Sequence, residues 1–317
     1  MSEQGPAYSV APLRTMPRYF LGKDNASRAC LLIAVRAGSG RSQAPIRLAS
    51  LDVQFGIHSL IRSGGETSAG TFSIVCCRSS ETETVHYFLS LVETIVTLLG
   101  QDPSEAEIAR AVNRLVLIFQ RLQSVPTRSV NGLFGELFII HQSRLPPATL
   151  RAWRIQNASR FDFTQADARL DAKTTSGRLR IHTFSYEQCN PPPGTIAIVA
   201  SLFVEQVSNG FTLRSLVDDI ASKVKAHPDL TVKLHETVAE TLGSSFNESI
   251  AVGFDWKLAR ASIRYYDLRA VPAIRGELPA GVGDLHFRSD LSGLQSLSAS
   301  ELEGPYPDLA SLLPQSV

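Results

Sequence analysis

The sequence predicts an α/β protein in which a mixed β-sheet is flanked by helices and is preceded by a β-rich N-terminal unit with two helices. Three observations support this fold class. β-Branched and aliphatic runs alternate with Gly- and Ser-rich segments early in the chain, a charged meander follows, and a continuous apolar run covers 195–207. Such a run is typical of a strand buried on both faces. We therefore predict a β-rich domain at 1–125, a second domain at 126–288 and an irregular tail at 289–317.

The N-terminal domain is predicted from apolar patterns and turn residues. Glycine- and serine-rich segments separate three predicted strands, at 28–35, 48–57 and 71–77. Helical spacing of apolar residues predicts a helix at 85–99 that ends at Gly100. The residues Asp102-Pro103-Ser104-Glu105 predict the start of a second helix with a proline at its first position. We expect this domain to be a scaffold, a partner surface or a target-recognition module.

Composition and sequence pattern argue against a membrane-spanning protein, a secreted protein and a protein with a basic surface throughout. The formal net charge is +1, with 31 Lys and Arg against 30 Asp and Glu, so any basic surface that binds nucleic acid must be local. The longest apolar run, 196–204, is too short to span a bilayer, and the first twenty residues lack the apolar core of a signal peptide. The four cysteines lack zinc-ribbon spacing, and we expect reduced, buried thiols in a cytoplasmic protein without a membrane span.

A short helix is predicted at 132–141, and it carries one acid. The segment is apolar on nearly every side, which is typical of a buried helix. Glu136 lies between Ile139 and Ile140 on the helical wheel, where a carboxylate is rare unless it is paired or binds a metal. A salt bridge with an arginine is the structural alternative. We favour a metal-binding role for Glu136.

Charged residues alternate with apolar ones along Phe161–His182, which predicts three short strands with the charges on one face. Ser176-Gly177 is suited to a two-residue hairpin turn, because glycine readily adopts a positive φ. The opposed pairs are then Asp171 with His182 and Lys173 with Arg180.

A preceding turn is predicted at Ala166-Asp167. The opposed pairs in that hairpin are Asp162 with Asp171 and Arg160 with Lys173. Facing carboxylates need a shared proton or a cation, and adjacent cations need an anion. A divalent metal and a phosphodiester would satisfy both rows of charges at once. A salt-bridge ladder on a solvated face is the structural alternative.

The remaining elements complete the predicted α/β domain. Helical spacing predicts helices at 213–224 and 230–242, and apolar runs predict strands at 249–254 and 261–268. Together with the buried strand at 195–207, this order favours a mixed sheet between helices.

The segments GLFGELFII, FDF and LDAKTTSGRLRIHTFS, with the following Gln188, resemble a bacterial family of PD-(D/E)XK proteins associated with restriction and phage-defence loci. In that superfamily a helical acid precedes an Asp and an (Asp/Glu)-X-Lys pair on adjacent strands. The matching residues here are Glu136, Asp162, Asp171 and Lys173. Phe161 stands where the superfamily has proline, and Asp171 replaces the more frequent Glu.

The resemblance implies a restriction-endonuclease-like core and a nuclease that hydrolyses DNA with Mg²⁺ or Mn²⁺, with RNA as the alternative substrate. The implied metal ligands are Glu136, Asp162, Asp171 and the Ala172 carbonyl. Lys173 would orient or deprotonate the attacking water, with its pKa lowered by Arg160 and Arg180. The residues expected to bind substrate are Arg160, Arg178, Arg180, His182 and Gln188.

The resemblance also implies partners from a defence system, and we expect that the protein can form oligomers. The competing hypothesis is a catalytically silent nucleic-acid-binding or adaptor subunit of a defence complex. Metal dependence distinguishes the two, because only the nuclease needs a divalent ion for its activity.

Overall fold

The computed structural model describes residues 8–35, 43–155, 160–303 and 312–313. Its mixed sheets, helices and β-rich N-terminal region confirm the predicted α/β class. The chain forms two compact units. One contains the described residues up to Thr127 together with Thr231–Asn247, and the other contains Arg128–Leu230 and the described residues from Glu248 onward. The predicted domain limits stay a prediction. The units differ from them in residues 126–127 and 231–247, and the described part of the predicted tail belongs to the second unit.

Strands of the first unit close into a ring. They are β1 (Tyr8–Leu13), β2 (Met16–Asp24), β3 (Ala29–Ala34), β4 (Ile46–Arg47), β5 (Leu51–Ser63) and β6 (Glu66–Cys77). Their order is β1-β2-β3-β6-β5-β4, and β1 also pairs in parallel with β5. Alternate residues of these strands pack into one core cluster, which comprises Val10, Cys30, Leu32, Ile61, Phe72, Ile74 and Cys76.

A disulfide joins two strands of this ring. Cys30 on β3 lies directly opposite Cys76 on β6, with the two Cα atoms 4.1 Å apart and the sulfurs bonded. The expectation of reduced thiols is therefore wrong for this pair, whereas Cys77 and Cys189 are free and buried. The two bonded cysteines are 46 residues apart in sequence, so their spacing does not reveal that their strands are neighbours.

Two long helices follow the ring, α1 (Thr82–Leu99) and α2 (Glu105–Arg121). Gly100 ends α1 as predicted, with a φ of 69° in the region that favours glycine. The second helix begins later than predicted, because Ser104 and not Asp102 is its N-cap. The Ser104 hydroxyl accepts a hydrogen bond from the Glu107 N–H, and the Glu107 carboxylate accepts one from the Ser104 N–H.

The second unit contains four-stranded and two-stranded sheets. Its strands are β7 (Phe163–Gln165), β8 (Ala168–Thr175), β9 (Ile181–Ser185), β10 (Ile196–Phe203), β11 (Gln206–Thr212), β12 (Gly253–Phe254), β13 (Arg264–Asp267) and β14 (His286–Asp290). The main sheet has the order β13-β10-β8-β7, and β11–β12 and β14–β9 form two ribbons. Only β8 and β10 are parallel neighbours within the main sheet as described.

The helices that follow α2 are α3 (Val130–Gln142), α4 (Pro146–Ala152), α5 (Tyr186–Cys189), α6 (Leu213–Lys223), α7 (Pro228–Leu242), α8 (Phe246–Ile250), α9 (Trp256–Ser262) and α10 (Ala299–Glu303). Both α10 and the end of β14 lie in the segment predicted to be an irregular tail. Within the described parts of the chain, we find no helix with the length and apolar character needed to cross a bilayer.

One predicted strand register is confirmed and the other is wrong. Phe163 on β7 lies opposite Leu170 on β8, as the turn at Ala166-Asp167 requires. Strand β9 pairs with β14, however, and β8 pairs instead with β10, which places Lys173 opposite Ser201. Pairing of β8 with the apolar strand β10 is more favourable than pairing with the charged segment after Gly177, because it removes more apolar surface from water.

A buried histidine makes the stability of the first unit sensitive to acid. His235 on α7 is 1% exposed, and its backbone carbonyl accepts a hydrogen bond from the Tyr87 hydroxyl. Burial lowers the pKa of the His235 imidazole to about 4. The unfolded imidazole takes up a proton near pH 6.5. The stability that His235 contributes is therefore present above that pH and is lost as the pH falls toward 4.

We expect chemical denaturation to show this loss. Between pH 7 and pH 5, protonation of unfolded His235 should lower the free energy of unfolding by about 2 kcal/mol. The variant His235→Gln should lack that part of the pH dependence, and the exposed His58 offers a control, since His58→Gln should keep it. An unchanged pH dependence in His235→Gln would contradict this account.

Candidate active site

Asp171 and Lys173 lie on one face of β8, as the alternation of charges predicts. The Lys173 Nζ atom is 2.8 Å from Asp171 Oδ2. Asp171 is only 4% exposed, and β8 lies between β7 and β10 in the main sheet. Burial raises the pKa of Asp171 to about 7; Lys173 opposes this shift, whereas Asp162 and Glu136 add to it. Burial therefore outweighs the nearby Lys173 ammonium in setting the pKa of this carboxyl group.

The pKa of Lys173 is raised and not lowered as expected. Burial lowers it, but the carboxylates of Asp171 and Asp162 outweigh burial. The acids determine the direction of this shift in place of Arg160 and Arg180. The predicted pairing of Arg180 with Lys173 is not formed, because β9 pairs with β14 and not with β8. Lys173 is consequently protonated, and it carries its positive charge beside Asp171.

Asp162 lies directly before β7 and reaches across to β8. Its Oδ2 atom accepts a hydrogen bond of 2.9 Å from the N–H of Ala172, the residue between Asp171 and Lys173. Its Oδ1 atom is 2.6 Å from Arg128 Nη1. The confirmed register of β7 and β8 therefore brings Asp162 to the charged segment of β8.

Glu136 is buried in α3 and is held by several donors. Arg154 binds it with two nitrogens, Nε at 2.8 Å from Oε2 and Nη2 at 2.8 Å from Oε1. The Trp153 indole N–H donates to Oε2 at 2.5 Å, and Arg128 Nη1 lies 3.3 Å from Oε1. Burial and Asp162 raise the pKa of Glu136, whereas Arg154 and Arg128 lower it. The arginine salt bridge that formed the structural alternative is therefore present.

A glycine allows α3 to approach the sheet closely enough for this arrangement. A Cβ atom on Gly135 would lie 2.4 Å from Cγ2 of Thr174 on β8. Real Cβ atoms do not approach carbon this closely, and Thr is stiff at χ1, so a larger residue would push the helix away. Gly135 thus sets the distance between Glu136 and β8.

The residues predicted for the site converge. Arg128 joins Glu136 to Asp162, the Ala172 N–H joins Asp162 to β8, and Lys173 pairs with Asp171. Three buried acids in one cluster favour a cation among them, and carboxylate oxygens are the ligands that Mg²⁺ and Mn²⁺ prefer. The chemistry of these donors therefore suits a hard divalent ion, while the oxygens of the three acids do not all lie within 4.8 Å of one another.

A family model described as "Putative PD-(D/E)XK family member, (DUF4420)" matches residues 6–292. The chain belongs to this family. No match was found among curated proteins or among solved structures. Nucleases of the PD-(D/E)XK type generally use divalent metals. The match extends over residues of both compact units, and the acid cluster lies within it.

Two predicted substrate residues of this PD-(D/E)XK protein lie in the interior. Arg180 Nη1 donates to the carbonyl oxygen of Ser201 at 2.7 Å and to its hydroxyl oxygen at 2.9 Å, and Nη2 donates to the Ser262 carbonyl. His182 Nε2 is 2.8 Å from the same hydroxyl oxygen, and burial, Lys173 and Arg180 lower its pKa to about 4. The predicted row of Arg180 beside Lys173 is wrong, because β9 does not pair with β8.

The other predicted substrate residues have different surroundings. Arg160 and Arg178 are exposed. Gln188 Oε1 accepts a hydrogen bond from the Ser185 N–H, and its Nε2 donates to the Arg160 carbonyl at 2.7 Å. Gln188 therefore caps α5 and fixes it to the chain just before Asp162, which gives it a structural part beside the candidate site.

The side chains that donate to Glu136 are not among the residues predicted from the sequence. Arg154 and Trp153 follow α4, and nothing in their spacing relates them to α3. Arg128 offers a signal, because it comes directly before Ser129, the N-cap of α3. The positive end of a helix dipole is an unfavourable place for a cation, so an arginine there needs an acid nearby.

Substitution of the buried Arg180 should destabilise the protein more than substitution of the exposed Arg178. Arg180→Met leaves the Ser201 and Ser262 carbonyls without their charged donor, and we expect the free energy of unfolding to fall by about 3 kcal/mol. Arg178→Met should change it by less than about 0.5 kcal/mol, because Arg178 is exposed. Urea denaturation of both variants measures the difference. Equal effects would contradict the interior position of Arg180.

Proposed function

We propose that this protein is a Mg²⁺- or Mn²⁺-dependent nuclease that hydrolyses phosphodiester bonds of DNA. One observation carries the proposal: Glu136 from α3, Asp162 before β7, and Asp171 and Lys173 from β8 meet in one buried cluster. Membership of the PD-(D/E)XK family supports a nuclease-like fold. Hydrolysis, the identity of the metal and DNA as substrate are inferences from this chemistry.

In the proposed site, Asp162 and Asp171 hold the metal together with the carbonyl of Ala172. Glu136 acts through water, since Arg154 and Trp153 already donate to its carboxylate. When bound, the metal supplies a Lewis acid that polarises the phosphate and lowers the pKa of water. Lys173, an ammonium ion beside Asp171, orients the attacking water and stabilises the negative charge that develops on the phosphate.

Phosphate binding is assigned to exposed cations. Arg160 precedes Asp162 in the chain, and Arg178 follows the end of β8, so each is connected within a few residues to the acid cluster. Arginine binds phosphate oxygens through two parallel hydrogen bonds. A net charge of +1 gives little general attraction to DNA, which favours delivery of the substrate by partner proteins of a restriction or phage-defence system.

A catalytically silent adaptor is the second candidate, and a specific observation favours it. Arg154, Arg128 and Lys173 already neutralise the acid cluster through their own ion pairs. A cluster neutralised in this way is stable without a metal, and nucleic-acid binding through exposed arginines would then be the whole function.

Substitutions on β8 test the nuclease. Wild-type protein should cut single- or double-stranded DNA with Mg²⁺ or Mn²⁺ and not with EDTA. Asp171→Asn and Lys173→Met should each slow cleavage by at least about a hundredfold, because one removes a metal ligand and the other a charge beside the phosphate.

Asp167→Asn is the matched control, since Asp167 is an exposed acid in the turn before β8 and should be dispensable. Gel assays under single-turnover conditions measure the rates. Cleavage that survives both β8 substitutions would disprove the proposed site. Metal-independent DNA binding without cleavage by the wild type would favour the adaptor.

A further inference from the structure

Arg128 occupies the space between two acids of the cluster. Its Nη1 atom is 2.6 Å from Asp162 Oδ1 and 3.3 Å from Glu136 Oε1, so a single nitrogen serves both carboxylates. These acids come from different elements, α3 and the segment before β7. The guanidinium group therefore provides the positive charge that connects them.

Arg128 and Arg154 hold the cluster in different ways. Arg154 binds Glu136 with two nitrogens, and its side chain is 12% exposed. Arg128 uses one nitrogen, and its side chain is 40% exposed. A bidentate, buried ion pair is difficult to break, whereas a half-exposed one exchanges its partner for water or another ion at a low cost. Arg128 is thus the replaceable cation of the cluster.

The position of Arg128 in the chain supports the same distinction. It comes directly before Ser129, whose hydroxyl accepts a hydrogen bond from the Gly132 N–H and caps α3. The helix dipole repels a cation at this place. The attraction of Arg128 to Asp162 and Glu136 must overcome that repulsion. Once another cation neutralises the acids, the repulsion from the helix dipole favours the departure of Arg128.

We propose that Arg128 is a resident countercation that competes with the divalent ion for Asp162. In the absence of metal it holds Asp162 and Glu136 together, and it gives up Asp162 when the metal binds. This inference rests on the proposed function, because it needs a metal at the acid cluster. It adds that the affinity for metal is set partly by an arginine of the chain itself.

Titration calorimetry with Mn²⁺ alone tests the competition. Arg128→Gln should bind Mn²⁺ about tenfold more tightly than the wild type, since the competing cation is gone. Arg128→Lys keeps a positive charge and should stay close to the wild-type affinity. Arg260→Gln, which removes an exposed arginine from α9, should leave the affinity unchanged.

Thermal unfolding in EDTA gives a readout that is independent of metal binding. Arg128→Gln should melt at a lower temperature than Arg128→Lys in EDTA, because its acids repel one another, and saturating Mn²⁺ should remove the difference. If wild type binds Mn²⁺ and Asp171→Asn does not, while Arg128→Gln binds no more tightly, the competition is disproved and the proposed metal site stands. Absence of Mn²⁺ binding in wild type and Arg128→Gln alike overturns both.

Discussion

Three carboxylates buried beside one another need positive charge, and the second unit is arranged to provide it. Glu136, Asp162 and Asp171 are at most 5% exposed. The compensating charges come from the residue before the N-cap of α3, from β8 and from the segment after α4; the residues are Arg128, Lys173 and Arg154. Arg128 connects α3 to the segment before β7, and Arg154 connects α3 to the segment after α4, so the charge requirement holds these parts of the chain together.

The parallel pairing of β8 with β10 determines which charged residues belong to the cluster. It buries Asp171 and places Ser201 next to Lys173 in the neighbouring strand. Ser201 then binds both Arg180 and His182 through its hydroxyl oxygen. Arg180 and His182, which are side chains of the kind that bind phosphate, thus hold β9 against β10. A charged residue near a catalytic motif can therefore serve packing alone.

The local sequence pattern was sufficient to predict several features of this site. The apolar surroundings of Glu136, the turn before β8 and the shared face of Asp171 and Lys173 all depend on residues close in sequence. The neighbours of β8 could not be predicted in the same way, because β9 and β10 compete for its edge and the outcome depends on the apolar area that each would bury. The disulfide, Trp153 and Arg154 share this difficulty, since each requires knowledge of which distant segments meet.

Helix α7 begins in the second unit with Pro228–Leu230 and continues in the first from Thr231, and the chain returns to the second unit at Glu248. The polypeptide therefore crosses between the units at three points, after Thr127, Leu230 and Asn247. No single breakpoint separates two complete units. A single crossover could not exchange the acid-bearing unit for another as an intact module, and a gene fragment ending after Thr127 would encode a first unit without the segment that carries His235. Exchange of either unit therefore requires joins at more than one of these points.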